Sequence, residues 1–297
     1  MTSSFSPQSS GGAGRTNLAY SRSSPRTLFN TVMTVLAFVC GILSLLPLLA
    51  VLIYVLFRGF SSLNLNAFTQ LPPPPFVPGG GFGHAIVGTI IVVALAALFS
   101  IPFGVMAAIY LTEFSSGKIS RWVRFATNVL SGVPSIIAGV FAYGVVVITT
   151  KTFSAVAGGV ALGILMLPII VRTTDESLQL VSQDLRQAAT GLGATKFQTV
   201  SQVVLPAAIP AIVTGVTLAI ARASGETAPL LFTAQASQYW PSGLFDRTAS
   251  LAVFVYNFGT SPYANLQSLA WAAALILVLL VLLTNIIARW ATSRTLK

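Results

Sequence analysis

Long apolar runs alternate along this chain with short polar connectors, and six of the runs are long enough to set the fold: Thr31 to Phe57, Ala85 to Leu111, Thr127 to Thr150, Ala155 to Val171, Ala207 to Ala234 and Leu266 to Ala288. A helix rises 1.5 Å per residue, so about 20 apolar residues cross a hydrocarbon core roughly 30 Å thick. Lipid offers the backbone no hydrogen-bond partner, and each run is therefore predicted to be a helix that satisfies its own N–H and C=O groups. The fourth run is the shortest, and Gly225 and Pro229 interrupt the fifth. The pattern predicts an all-α membrane protein built on a bundle of six transmembrane helices.

Composition supports lipid as the solvent. Of the residues, 55% are hydrophobic and 7% charged, where a soluble domain carries about 25% charged. The formal charge of +10 does not imply nucleic acid, because the bases are scattered between the apolar runs instead of forming one patch. Sorted by segment, Arg15, Arg22, Arg26, Lys118, Arg121, Arg124, Arg172, Arg186, Lys196, Arg289, Arg294 and Lys297 fall on one side. Arg58, Lys151 and Arg247 fall on the other, and Arg222 lies within a span. Basic residues concentrate on the cytoplasmic side of such proteins, so both termini are expected in the cytoplasm.

Residues 1–30 are rich in Ser, Gly and Thr and hold no acid, a composition that reads as a disordered cytoplasmic tail. The run after it is too long for the core of a cleaved signal peptide. A membrane domain is expected over residues 31–290 and a short cytoplasmic tail over 291–297. Cys40 stands alone, which excludes an intramolecular disulfide, and His84, the single histidine, is expected at the outer interface. One His, one Cys and six acids leave no catalytic or metal-ligating constellation, so an enzyme is disfavoured.

The longest expected cytoplasmic connector, residues 173–206, far exceeds the 2 to 8 residues usual between bundle helices and must carry structure of its own. Gln183 to Thr190 reads as a short amphipathic helix, Gly191 and Gly193 permit a bend, and Ala194 to Val204 reads as a second helix with Phe197, Val200 and Val204 on one face. Ala188 and Ala189 would let a partner approach closely, as for a helix seated in a groove.

Within the fifth run, Arg222 at a bilayer-central position costs about 2.5–3.5 kcal/mol to insert, so it should be paired or line a polar cavity. Glu226 follows four residues later, at pairing distance on a helix. The pair could be structural, or Arg222 could exchange Glu226 for an oxyanion that a guanidinium grips with two hydrogen bonds. Positive-inside placement alone explains Arg172. Gly225 and Pro229 could free backbone groups for a solute or simply kink the helix.

Gln187, Ala188, Ala189, Gly193, Val203, Leu205 and Pro206 match, spacing for spacing, the Glu-Ala-Ala, Gly, Ile-x-Leu-Pro pattern of the coupling loop of ABC importer permeases, with Gln187 in place of the usual Glu. Ala108 to Phe114, Gly132 to Gly139, Leu167 to Thr174 and Ser224 to Leu231 resemble the phosphate-specific permeases of that family over residues 85–290. The resemblance implies an ABC importer fold with a cytoplasmic coupling helix, half of a phosphate pathway touched by Arg222, Glu226 and Arg172, and ATPase contacts through the coupling-loop residues. It also implies as partners a second permease, an ATPase dimer that binds the ATP and Mg, an outer phosphate-binding protein and membrane lipid. No Gly-x-x-x-x-Gly-Lys-Ser/Thr sequence occurs, so the chain carries no phosphate-cradling loop and no cofactor of its own. Importers of sulfate or molybdate, and an ATP-independent carrier or channel, stay open as alternatives.

Overall fold

The computed structural model describes residues 25–115 and 117–295, with side chains to residue 290. Among the described residues there are helices and no strands. Contacts divide the chain into two compact units, residues 1–53 and 54–297. The first is represented by residues 25–53 of helix α1 (Pro25–Ser61), which bury no side chain. Pro25 supplies the fixed φ of a first helical turn, so Pro25 to Asn30 of the expected tail are helical. The first 24 residues of that tail lie outside the described residues, as do residues 296 and 297.

The second unit contains the end of α1, where Tyr54 meets Trp271 edge-on at 4.9 Å, and ten further helices. These are α2 (Asn66–Thr69), α3 (Gly83–Phe114), α4 (Lys118–Ser131), α5 (Ser135–Thr150), α6 (Ala155–Gln179), α7 (Gln183–Gly191), α8 (Lys196–Ser224), α9 (Ala228–Leu231), α10 (Leu251–Gly259) and α11 (Ala264–Thr295). Among the described residues five helices, α1, α3, α6, α8 and α11, are each long and apolar enough to span a membrane.

The expected third span is a broken one. Instead of a single helix over 127–150, α4 and α5 meet at 102° across Gly132-Val133-Pro134. Proline lacks the N–H a continuing helix needs and forces the residue before it out of the α region. α4 is amphipathic, with Ile119, Trp122 and Phe125 exposed beside Lys118 and Arg121.

α6 is the hub, the most buried of these five helices, with Leu162, Met166 and Ile170 fully enclosed by α3 and α8. Its small residues allow this: a Cβ on Gly159 would sit 2.7 Å from that of Leu95. α6 is also longer than predicted, running through Arg172 to Gln179, so the start of the expected coupling loop is a helix extension. The first N–H groups of α6 need partners and find them far along the chain. Ser154 N–H donates to Thr233 O at 3.0 Å, Ala155 N–H to Asp246 O at 3.2 Å and Val156 N–H to Leu244 O at 3.1 Å.

The segment between α9 and α11 contains α10, whose Leu251, Val253 and Phe254 are buried. Tyr239, Phe245 and Tyr256 are exposed. His84, at the first turn of α3, is fully buried, because α10 and the preceding segment close over it with Phe254 and Trp240 rings at 5.9 and 6.4 Å.

Candidate translocation and coupling site

Two places on the second unit gather ionisable groups in an otherwise apolar chain. The first is the end of α8. The helix stops at Ser224, and Gly225 N–H turns back to Arg222 O at 3.2 Å. The next residues resume helix only at Ala228, with Pro229 in the first turn of α9. Gly139 of α5 packs directly on Pro229, a Cβ there meeting the Pro229 Cα at 2.5 Å. The Gly132 to Gly139 and Ser224 to Leu231 stretches are thus in contact.

Glu226 lies beyond the helix end instead of on the same helical face, yet the break still brings its carboxylate within 3.7 Å of Arg222 Nε. That gap is too long for a hydrogen bond. Among the described residues the Arg222 guanidinium has no hydrogen-bond acceptor, and its side chain is 59% exposed against 18% for Glu226. The arginine therefore presents its donors outward from an apolar helix while a largely enclosed carboxylate offsets its charge.

Arg172 does not join them. It bonds Glu176, one turn on along α6, at 2.9 Å, with both side chains more than half exposed. Thr173 packs against Gly215, which places Arg172 about seven residues, roughly 10 Å of helix rise, from the level of Arg222.

The second place is the connector between α6 and α8. α7 opens at Ser182, whose Oγ accepts from Leu185 N–H at 3.4 Å. It closes in a reciprocal turn, Gly193 N–H to Thr190 O at 3.0 Å and Ala194 N–H to Ala189 O at 3.1 Å. Gly193 sits at φ +87°, a left-handed conformation that side chains with a Cβ resist. Thr195 and Gln198 then form a capping box that starts α8.

The expected second short helix, Ala194 to Val204, is therefore the first part of α8, continuous with Leu205 and Pro206. Its single apolar face is split. A π turn over Val200–Val204 adds a residue to the helical turn, so Val200 and Val204 point into the core while Phe197 is 71% exposed. Gln187 and Ala188 are exposed on α7, but Ala189 is turned inward and buried, so of the two alanines only Ala188 offers its surface to a partner. Around them Leu180, Leu185, Leu192 and Phe197 stand exposed.

Sequence reasoning missed the ion pairs behind this surface. Asp175 of α6 receives Arg124 of α4 on both oxygens, at 2.8 and 2.9 Å, and Thr112 Oγ1 at 2.6 Å. Arg186 of α7 pairs with Glu113 and donates to Leu178 O at 2.7 Å. A signal was available: with only six acids in the chain, an acid at the end of an apolar run is expensive unless paired.

A family model described as binding-protein-dependent transport system inner membrane component matches residues 100–297. A curated relative from Yersinia pestis, phosphate transport system permease protein PstA, is 40% identical over 88% of this chain and 88% of its own length. The chain belongs to this family of inner-membrane transport components, in its PstA branch. The PstA of Xylella fastidiosa is 43% identical over 78% of this chain and 81% of its own. Among solved structures, a chain of the bacterial alginate ABC transporter in complex with its alginate-loaded periplasmic protein superposes with a TM-score of 0.63 at 14% identity, covering 92% of this chain and 98% of that one. The likeness establishes the ABC permease fold. A permease of this family is a transport subunit in a membrane and works with an ATPase and a substrate-binding protein.

Proposed function

We propose that this permease is one of the two membrane subunits of a bacterial phosphate importer, lying in the inner membrane with both termini in the cytoplasm. The PstA relatives support phosphate over sulfate or molybdate. The twelve-to-three division of basic residues supports the orientation. In this reading residues 31–290 form the permease domain, residues 173–206 its coupling loop and residues 291–297 a short tail. A PstC-like second permease covers the exposed Arg222, a PstB-like ATPase dimer holds ATP and Mg, and a PstS-like protein delivers phosphate.

The observation that carries the reading is α7. A nine-residue helix projects between two apolar spans, held by the left-handed Gly193, with Gln187 and Ala188 in the open and four large apolar side chains around them. Exposed apolar groups outside the lipid-facing runs mark a docking surface, and a short helix fits a groove on a partner. Closure of the ATPase dimer on ATP would draw the α7 helices of the two permeases together and switch the paired bundles between outward and inward access. Phosphate passing the end of α8 would take the free donors of Arg222 in place of the distant Glu226 carboxylate.

Ala188→Trp tests this. A bulky ring on the one exposed alanine is expected to strip the ATPase from the purified complex and abolish phosphate uptake. Undiminished ATPase retention and uptake would remove α7 as the docking element. Uptake of phosphate but not sulfate by reconstituted wild type checks the solute.

A further inference from the structure

Three consecutive residues at the end of α3 each hold a different element of the coupling region. Thr112 donates to Asp175 of α6 at 2.6 Å. Glu113 accepts from Arg186 of α7. Phe114 lies under the Lys196 ammonium of α8, 5.4 Å from the ring centroid. Successive side chains on a helix point about 100° apart, so a run of three can reach three neighbours only if those neighbours surround the helix end. They do here, and α4 closes the ring through the two-pronged Arg124–Asp175 bond.

The same residues lie in a π turn, Tyr110–Phe114, closed by Ser115 N–H on Tyr110 O at 2.8 Å. Such turns are frequent at functional sites in helices. The Glu113–Arg186 pair is also enclosed, its side chains 8% and 15% exposed, and Asp175 is 12% exposed beneath the more open Arg124 at 42%. Enclosed, charge-assisted bonds are stiff and directional, unlike the solvent-exposed Arg172–Glu176 pair on the same end.

We propose that Thr112, Glu113 and Phe114 form a bracket that ties α6, α7 and α8 to the end of α3, with Glu113 holding α7, so that a push on α7 moves the α3–α6 pair of spans as one body. Glu113 and Arg186 are its central positioning residues. The proposal rests on the reading of α7 as the ATPase docking element, and adds the route by which displacement leaves that element. Without the bracket, α7 keeps its flanking turns, the Arg186 bond to Leu178 O and its packing on the first turns of α8, but loses the ion pair that ties it to α3. A two-state element biased by the ATPase needs such a stiff connection to reach the solute site.

The test uses the whole importer, both permeases with ATPase and binding protein, in proteoliposomes. Glu113→Gln and Arg186→Gln are expected to keep the ATPase bound and hydrolysing while the phosphate moved per ATP falls about fivefold or more. The exchanged pair, Glu113→Arg with Arg186→Glu, is expected to restore a good part of that ratio. Unchanged phosphate per ATP in both single variants overturns the bracket.

A second measurement leaves the bracket intact, for the case that the variants do not assemble. With Cys40→Ser, spin labels on Tyr110→Cys and Thr190→Cys, both exposed sites, report the α3 to α7 separation. It is expected to be the same without nucleotide and with ATP, and a shift beyond about 3 Å, two residues of helix rise, overturns the proposal. A wild-type chain that never retains the ATPase overturns the docking reading and the bracket with it, whereas ATPase retention with a moving label pair overturns the bracket alone.

Discussion

The α7 end and the α8 end of this permease use the same chemistry, arginine against carboxylate, with opposite geometry. At the α7 end Asp175 takes three hydrogen bonds and Glu113 is enclosed with Arg186. At the α8 end Arg222 and Glu226 face each other across 3.7 Å without a hydrogen bond, and the arginine is 59% exposed. A committed pair holds helices in place. An uncommitted one keeps its donors for something that comes and goes. On the proposed reading of Arg222, what distinguishes a working charge from a structural one here is the commitment of its donors, not the residue type.

The sharpest way to break this contrast is Arg222→Ala. Loss of a two-pronged, charge-assisted grip worth about 3 kcal/mol corresponds to roughly a 100-fold fall in phosphate uptake, with complex assembly unchanged on gel filtration. Equal uptake would place Arg222 with the structural charges. Glu226→Gln leaves the arginine without its offset, so phosphate is expected to stay bound to the purified complex while uptake falls about tenfold; radiolabelled phosphate retention checks it. Asp175→Asn is expected to act in the other currency, lowering stability in detergent by about 2 kcal/mol through the lost charge-assisted bonds of Arg124, read as a lower melting midpoint. Arg172→Ala is the smallest, below about 1 kcal/mol and with uptake near wild type, because an exposed i,i+4 pair contributes little.

Much of the fold was legible because lipid forces apolar runs to be helices: α1, α3, α6, α8 and α11 each follow a predicted run. What the pattern could not show was geometry inside a run. The Gly132-Val133-Pro134 break turns an apparently continuous third span through 102°, and proline alone does not say whether a helix kinks or stops. α10 was invisible because its nine residues are too few to cross a membrane. At the site, spacing located α7 and Gly193, since a left-handed residue and a helix cap leave local marks. It placed Ala189 beside Ala188 as open to a partner and put Phe197 on one face with Val200 and Val204, whereas the structure buries Ala189 and the π turn over Val200–Val204 parts Phe197 from the two valines. The Glu113–Arg186 and Asp175–Arg124 bonds join residues 73 and 51 positions apart, and no local pattern encodes such distances.

The carbonyls that complete the first turn of α6 come from Thr233, Leu244 and Asp246, some 80 to 90 positions downstream. Until the chain through Asp246 has been made, those amides can bond only to water, so the first turn of the central helix gains its protein acceptors late in synthesis. A nascent chain halted before Thr233 should therefore be open to proteases and to quality control at the very helix that is most sheltered in the finished subunit.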